Sequence, residues 1–253
     1  MQDNASIFNR LALALPDIPR WVETRSMLLS SHCEVMGLEE TRQPSFALRS
    51  AEMELISVVG FPEPEAIREA ACRNGNQGAV LATPENRGHV AASLADWTAS
   101  PATIHALGDA PRLPVVPEGR VRLLSPSEIT ALAGLPAELE EELAQVCLRS
   151  TVAATFADDS PVSFCYTASE TEGLWDISID TLEGHRKRGY AGMCVAFLIE
   201  EMRKRGKEPV WGAEESNAPS MKLAAKLGFV PVDKLIVFQH KDFTLLRATI
   251  EGD

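Results

Sequence analysis

Alternating apolar and polar positions predict a series of strands in the second half of the chain. Residues 120–124 alternate as a half-buried strand does, and three longer runs rich in apolar and β-branched residues follow. Short polar turns at 158–160 and 170–173 separate these runs, a pattern typical of an antiparallel meander. The three meander strands are predicted at 151–157, 161–168 and 174–181.

Helical periodicity appears on both sides of this meander. Ser125 and Glu128 form a capping pattern before helical sequence that continues, with a break at 134–136, toward residue 149. After the meander, a turn with glycine and basic residues leads into a helix whose apolar face is Val195, Leu198, Ile199 and Met202. The remaining elements are predicted as a strand at 209–213, a helix at 219–227 and strands at 229–232 and 235–240.

The first half of the chain predicts a smaller α/β domain. An amphipathic helix is expected to end at Pro16. Three prolines and a glycine within 111–119 predict a stiff connector, because proline restricts itself and its predecessor to extended conformations. We therefore place two domains at 1–118 and 119–253. The elements predicted in the first domain are strands at 53–59, 79–82 and 103–107 and helices at 65–73 and 89–97.

Net charge and cysteine spacing exclude several kinds of partner. The 253-residue chain has a formal net charge of −12, which argues against nucleic-acid binding and favours a neutral or cationic small substrate. No apolar run is long enough to span a bilayer and no signal peptide is visible, so we expect no membrane partner. The five cysteines form no C-x-x-C pair, so we expect buried reduced thiols, no metal site and a cytoplasmic protein.

The turn between the last meander strand and the following helix carries the candidate chemistry. Such a turn presents unpaired backbone N–H groups and the positive end of the helix dipole, which suit a diphosphate. Gly189 and Ala191 let a ligand approach the backbone, and Arg186, Lys187 and Arg188 add positive charge to an otherwise acidic protein. The turn has neither the G-x-x-x-x-G-K-[ST] pattern of a P-loop nor the G-x-G-x-x-G pattern of dinucleotide-binding proteins.

Two segments of the chain resemble the GNAT superfamily of acetyltransferases. Arg186, Gly189 and Ala191 match its [Q/R]-x-x-G-x-[G/A] pyrophosphate loop, and a later block is similar to its N-x-x-[AS]-x-x-L-x-x-K-x-G-F pattern. The resemblance covers about residues 120–240 and implies an α/β (α+β) protein. The GNAT fold has a mixed, mostly antiparallel sheet flanked by helices, and here a smaller N-terminal α/β domain precedes it. The later block consists of Asn217, Ser220, Leu223, Lys226, Gly228 and Phe229.

The resemblance implies that coenzyme A binds along the end of the strand before the turn and at the turn itself, with acetyl-CoA as acyl donor. In the superfamily, the residue at the position of Asn217 commonly contacts the cofactor, and a role of Asn217 as helix N-cap is compatible with this. Gly228 is expected to end a helix and Phe229 to lie in the core. The implied cofactor-binding residues are Ile179, Asp180, Thr181, Arg186, Lys187, Arg188, Gly189, Tyr190, Ala191, Asn217 and Ser220.

Two positions depart from the superfamily's usual catalytic residues. Ala224 stands where many members carry a tyrosine that protonates the departing thiolate, and Trp175 stands where a glutamate often acts as general base. Asp176 and Asp180 are the nearest side chains that could accept a proton, and for each a solvated or structural carboxylate is the competing interpretation. Later alternatives are Glu214 and Glu215.

The resemblance predicts direct transfer of an acetyl group from acetyl-CoA to a primary amine of a small molecule or peptide, by a monomer or homodimer. The two-domain layout also resembles glycine N-acyltransferases, which makes an acyl-CoA:amino acid N-acyltransferase an alternative. The missing catalytic residues keep a non-catalytic CoA-binding sensor or interaction module as another. Residues 84–89 resemble a worn GNAT loop with Val90 in place of its glycine, which leaves open a degenerate GNAT-like unit in the first domain or a coincidence.

Overall fold

The computed structural model describes residues 2–30, 32–39, 44–132 and 134–242. The described chain is a mixed α/β protein whose strands are mostly antiparallel and flanked by helices, which confirms the predicted fold class. Within the described ranges, no helix combines the length and the apolar character that a membrane crossing requires.

The chain forms two compact units that interleave in sequence. Of the described residues, the first unit contains those up to 104, 213–218 and 232–242, and the second contains those within 105–212 and 219–231. Each predicted domain, in contrast, is one continuous stretch. The boundary between residues 118 and 119 stays a prediction.

The first unit is built on a short antiparallel meander followed by a parallel strand. β1, β2 and β3 pair antiparallel, and β4 pairs parallel to β3 after a crossover through α3. The strand order in this unit is β1-β2-β3-β4-β11-β5. Its elements are α1 (Gln2–Ala14), a 3-10 turn (Pro19–Trp21), α2 (Val22–Leu29), β1 (Cys33–Glu39), β2 (Ser45–Ser50), β3 (Leu55–Val59), α3 (Pro64–Arg73), β4 (Ala79–Ala82), α4 (Arg87–Ser93) and β5 (Trp97–Leu107), joined by most of β11 (Phe229–His240).

A buried arginine completes the end of α1 in this unit. The Arg25 guanidinium donates to the carbonyl oxygens of Ala12 and Leu15 and is buried. These carbonyls belong to the last turn of α1, which has no helical partners for them. The Thr24 hydroxyl lies 2.7 Å from that of Ser57, so α2 is also fastened to β3.

The second unit repeats this plan with longer elements. β6, β7, β8 and β9 pair antiparallel, and β10 pairs parallel to β9 after a crossover through α7. The strand order is β10-β9-β8-β7-β6. Its elements are β6 (Val121–Leu124), α5 (Pro126–Thr130), α6 (Ala137–Val146), β7 (Val152–Ala157), β8 (Ser160–Glu170), β9 (Leu174–Thr181), a 3-10 turn (Glu183–His185), α7 (Tyr190–Arg203), β10 (Glu208–Glu214) and α8 (Ala218–Leu227).

Local sequence explains the elements of the second unit well. Ser125 and Glu128 form a capping box at the start of α5, as predicted. The hairpin between β7 and β8 turns through Asp158 and Asp159, whose φ values of 49° and 66° are tolerated best by such short polar residues. All four residues of the predicted apolar face of α7 are fully buried. Periodicity therefore placed this helix correctly against the strands.

The last strand explains why the units interleave. In the first unit, β3, α3, β4, α4 and β5 follow one another as β9, α7, β10, α8 and β11 do later in the chain. However, β11 pairs antiparallel with β4, with Ile236 opposite Ala82, so the end of the chain completes the first unit. Residues 84–89 form the turn after β4 and the beginning of α4. That place corresponds to the turn between β10 and α8, so their resemblance to a GNAT loop does not mark a second diphosphate turn.

Several predicted element limits are corrected by the structure. The helix predicted at 89–97 ends at Ser93, and Trp97 begins β5, which is far longer than the strand predicted at 103–107. β1 and β2 had no predicted counterpart. The two final strands are one continuous β11, in which Pro231 is exposed.

Candidate functional site

Strands β9 and β10 are parallel neighbours that separate partway along their length. Their pairing ends at Asp176 opposite Val210, although β9 continues to Thr181. Within the described part of the second unit, residues 177–181 therefore have an open edge on the side of β10. An extended ligand could pair with this edge as an added strand does.

The register on the other side of β9 decides which backbone groups face this edge. The Leu182 amide donates to the Val162 carbonyl at 3.0 Å. Bonded and non-bonded pairs alternate in an antiparallel ladder, so even-numbered residues of β9 exchange hydrogen bonds with β8. Of the three residues predicted along the cofactor, Ile179 and Thr181 direct their backbone groups to the open edge, whereas Asp180 directs its own to β8.

The open edge leads directly into the turn before α7. Lys187 and Gly189 have φ values of 62° and 85°, and Gly189 is the N-cap of α7. The Met193 amide makes the first helical bond, to the Gly189 carbonyl at 3.2 Å. The three amides before it, at 190–192, therefore belong to the helix end that has no helical acceptors. A Cβ built on Gly189 has no described atom within 4 Å, so the turn has open space above it.

The basic side chains of the turn are all exposed. Arg186 Nε donates to the Thr181 carbonyl at 3.1 Å, which fastens the turn to the end of β9. Lys187 and Arg188 add charge at the same helix end where the dipole is positive. The turn is thus a local region of positive potential in a chain of net charge −12, and its groups suit an anion.

Tyr190, the first residue of α7, is fixed from several sides. Its carbonyl accepts a 3.1 Å hydrogen bond from the buried Thr155 hydroxyl of β7. The Arg120 guanidinium lies 5.5 Å from its ring centroid, and the His185 ring lies 6.2 Å away. The helix N-terminus is therefore held in place before any ligand binds.

Asp176 lies where β9 and β10 begin to separate. Its side chain is buried, and Oδ1 accepts a hydrogen bond from the Gly212 amide at 3.3 Å. The Asp176 carboxylate thus bonds to β10 at the point where backbone pairing between β9 and β10 stops. This contact favours a structural role for Asp176, one of the two predicted proton acceptors.

Asp180, the other predicted acceptor, is partly exposed on the open half of β9. Burial raises the pKa of its carboxyl, and this effect is opposed by the Tyr166 hydroxyl and the Arg186 charge. Tyr166 donates to Asp180 Oδ2 at 3.0 Å. Glu215, a later alternative, instead has a lowered pKa because it accepts from Lys234 and Thr103. Asp180 is therefore the better proton acceptor of the two.

The positions of the usual catalytic residues are closed to solvent. Trp175 and Ala224 are both fully buried. Cys165 and Cys194 are buried too, and burial raises the pKa of both thiols, that of Cys194 to about 12. Neither thiol is a plausible nucleophile. All five cysteines are free, but Cys72 is exposed and Cys33 is only half-buried, contrary to the expectation of buried thiols.

The later sequence block divides between the two units. Asn217 immediately precedes α8 and its amide donates to the Glu214 carbonyl at 2.9 Å, within the first unit. Ser220 lies in the second unit and its hydroxyl accepts from Trp211 Nε1 at 2.9 Å. Gly228 ends α8 with φ 92°, and Phe229 is buried. The structural roles predicted for Gly228 and Phe229 are confirmed.

A cavity of about 280 Å³ adjoins the turn on the side of α5 and α6. Leu132 and Leu182 form part of its apolar wall, and His185 forms part of its polar wall. The Nδ1 atom of His185 is buried and has no hydrogen-bond partner among the described residues. Leu182 packs against the same core as Tyr166, so the cavity lies on the sheet face that carries Asp180.

Sequence reasoning missed Tyr166, whose hydroxyl donates to the predicted proton acceptor Asp180 from the neighbouring strand. The chain has only two tyrosines, but their number says nothing about which strand lies beside β9. Among the described residues, no group of three or more His, Cys, Asp or Glu side chains could hold a metal ion.

A family model described as GNAT acetyltransferase matches residues 153–238. The match begins in β7, includes the whole basic turn and ends within β11. A search of curated protein sequences found no match to this chain.

Solved structures with a similar fold span nearly the full chain. A GCN5-related N-acetyltransferase-like protein from Streptococcus suis is 16% identical, with a TM-score of 0.61, over 94% of this chain and 99% of that one. A GNAT-family acetyltransferase from Colwellia psychrerythraea is 12% identical, with a TM-score of 0.58, over 95% and 97%. A tandem GNAT protein from the clavulanic acid biosynthesis pathway is 13% identical, with a TM-score of 0.51, over 86% of each chain. Identities this low support similarity of fold.

Proposed function

We propose, from the premise that the C-terminal region of this chain belongs to the GNAT superfamily, that the protein is an N-acetyltransferase. It transfers an acetyl group from acetyl-CoA to a primary amine of a small molecule or peptide. The observation that carries this proposal is the open edge of β9, which continues without interruption into an exposed basic turn at a helix N-terminus.

The geometry fits the two chemically distinct parts of coenzyme A. The amide groups of the pantetheine arm match the backbone groups that Ile179 and Thr181 direct to the open edge. The diphosphate matches the amides of 190–192 together with the side chains of Arg186–Arg188. Acetyl-CoA, when bound, supplies the activated thioester.

Asp180 is the residue we propose as proton acceptor. Acyl transfer forms a C–N bond and breaks the C–S bond, and the attacking amine must lose a proton. Because burial raises its pKa, Asp180 holds a proton more readily than an exposed carboxylate does. The proton that the departing thiolate takes up can come from solvent, because a thiol has a pKa of about 8.5 and its anion is a fair leaving group. Ala224 at the position of the usual acid is therefore tolerable.

We also propose that the first unit is a GNAT-like unit that binds no cofactor. Its order of strands and helices repeats that of the second unit, with the turn from β3 to α3 in place of the turn from β9 to α7. A tandem GNAT protein has a similar fold over most of both chains. The support comes from this repetition and no longer from residues 84–89.

A CoA-binding sensor is the second candidate, and one observation favours it. The positions of the usual base and acid carry Trp175 and Ala224, both fully buried. Such a protein would bind acetyl-CoA without consuming it. The length of the transferred acyl group separates an acetyltransferase from an amino acid N-acyltransferase. Comparing turnover of acetyl-CoA with that of larger acyl donors distinguishes the two.

Release of free CoA in the presence of amines tests the proposed function. We expect thiol release from acetyl-CoA with at least one member of a panel of polyamines, amino acids and peptides, and much slower release from benzoyl-CoA. Asp180→Asn should lower kcat by about 100-fold or more, the usual contribution of a general base. Equal turnover of both donors would favour the amino acid N-acyltransferase. Tight binding of acetyl-CoA with no turnover on any amine would favour the sensor.

A further inference from the structure

Tyr166 reaches Asp180 from a neighbouring strand. In the ladder between β8 and β9, Tyr166 lies opposite Ser178, and Phe164 lies opposite Asp180, so Tyr166 and Asp180 are diagonal neighbours on one face. The phenol donates to Asp180 Oδ2 at 3.0 Å while the tyrosine side chain is 1% exposed. The ring is packed in the core beneath α5 and α6. A buried, rigid donor therefore holds a partly exposed carboxylate.

A second carboxylate acts on the proton affinity of the same phenol. Glu142 of α6 is exposed and also interacts with the Tyr166 hydroxyl. A phenol has a single proton to donate. Burial and the two carboxylates raise the pKa of Tyr166 far above its ordinary value, so this proton stays on the oxygen. Two acceptors, on α6 and on β9, thus compete for one donor on β8.

The other groups that act on Asp180 come from the basic turn and from β8. Arg186, at the beginning of the basic turn, stabilises the ionised carboxylate. Cys165 of β8 is close enough to interact with Asp180 but is a buried thiol that stays neutral. Of Tyr166, Arg186 and Cys165, only Tyr166 donates a proton that a second carboxylate, Glu142, can also accept.

We propose that Tyr166 is a positioning residue for acyl transfer, which fixes the Asp180 carboxylate at the open edge and sets its proton affinity, and that Glu142 weakens this hold by drawing on the same hydroxyl proton. The inference rests on the proposed function, since it gives Asp180 a catalytic role. It adds a tuning cluster of three residues on three elements, none of which belongs to the sequence block or the basic turn.

Carboxyl NMR tests the coupling without reference to catalysis. Labelled Asp180 is titrated in the wild-type chain, in Tyr166→Phe and in Glu142→Gln, with Glu141→Gln, at an exposed position of the same helix, as matched control. Tyr166→Phe removes a donor to the ionised form, so the Asp180 midpoint should rise. Glu142→Gln removes the competing carboxylate, so the midpoint should fall. Midpoints in both variants that match wild type would overturn the inference, and Glu142, being exposed, keeps the test valid if Tyr166→Phe does not fold.

The pH profile of kcat/KM tests the role in transfer. The acid limb should move to higher pH in Tyr166→Phe, with about a tenfold fall in kcat/KM at a fixed pH on that limb. It should move to lower pH in Glu142→Gln and stay in place in Glu141→Gln. If the acid limb of the profile does not move in either variant while the wild-type chain acylates an amine, the inference is wrong and the proposed function stands. A wild-type chain that binds acetyl-CoA but acylates no amine would overturn the proposed function, even with midpoints that shift as expected.

Discussion

The turns from β3 to α3 and from β9 to α7 occupy equivalent places in the two units but differ in their free amide donors and in their charge, on which phosphate binding depends. After β9, the turn offers three amides at 190–192 and a run of three basic residues. After β3, Pro62 and Pro64 remove two amide donors, and Glu63 and Glu65 bring negative charge to the start of α3. The same topology therefore carries groups that suit a diphosphate in the second unit, and the corresponding turn of the first unit replaces them with prolines and acidic residues.

The edges of the strands before these two turns, β3 and β9, show the same contrast. The pairing of β3 with β4 stops at Ser57, as that of β9 with β10 stops partway. In the first unit, however, the buried Asn86 amide donates to the carbonyls of Val58 and Gly60 at 3.0 and 2.9 Å. A side chain thus occupies the edge that an extended ligand would use. Topology creates the opening, and single residues decide whether it stays open.

Replacing Gly189 should abolish cofactor binding at the turn of the second unit. Gly189→Val puts a β-branched residue at φ 85°, which distorts the turn and withdraws its amides from a ligand. We expect one acetyl-CoA per wild-type chain by isothermal titration and none for the variant. The stabilisation of about 2.7 kcal/mol that saturating acetyl-CoA gives at 100 times its Kd should disappear with it.

Gly88→Val is the matched control, because Gly88 has no described atom within 4 Å of a built Cβ and no left-handed φ. It should bind acetyl-CoA as wild type does. A site that survives in Gly189→Val would show that the first unit also binds the cofactor, and the comparison would fail.

Replacing Asn86 tests whether its side chain fills the edge of β3. Asn86→Ala leaves the carbonyls of Val58 and Gly60 and the Thr83 amide without this partner. We expect a loss of about 3 kcal/mol in the free energy of unfolding, measured in urea, with the affinity for acetyl-CoA unchanged. Gln77→Ala removes an exposed amide and should cost little. An Asn86→Ala chain as stable as wild type would contradict this role.

One carboxylate in each unit sharpens the comparison further. Asp180 of the second unit has Tyr166 as donor, whereas Glu23 Oε2 of the first unit is buried with no partner among the described residues. Burial raises the pKa of Glu23 to about 7. The stability that this raised pKa contributes is present below about pH 4.5, the ordinary glutamate range, and is lost as pH rises through 7.

Glu23→Gln should therefore equal wild type in stability near pH 4 and exceed it by about 2 kcal/mol near pH 9. Thermal or urea unfolding across this range measures the difference. A gap that is the same at both pH values would mean that Glu23 stays ionised in the fold.

Local patterns predicted the position and basic character of the turn before α7, the apolar face of α7 and most strands of the second unit. They did so because a turn, a cap and a periodic face each depend on residues close in sequence. The same reasoning failed at Trp97, where apolar residues continue from α4 into β5 and periodicity over so short a stretch does not separate helix from strand.

Contacts between distant segments could not be predicted in this way. The pairing of Ile236 with Ala82 sends the end of the chain to the first unit, and Tyr166 meets Asp180 only because β8 and β9 adopt one particular register. A strand's own sequence fixes which face is apolar but leaves its partner open. The sequence by itself thus determined that a basic, glycine-containing turn follows a strand. The tertiary structure alone decided that this strand has an open edge, because strand pairing depends on the competition of all strands for neighbours.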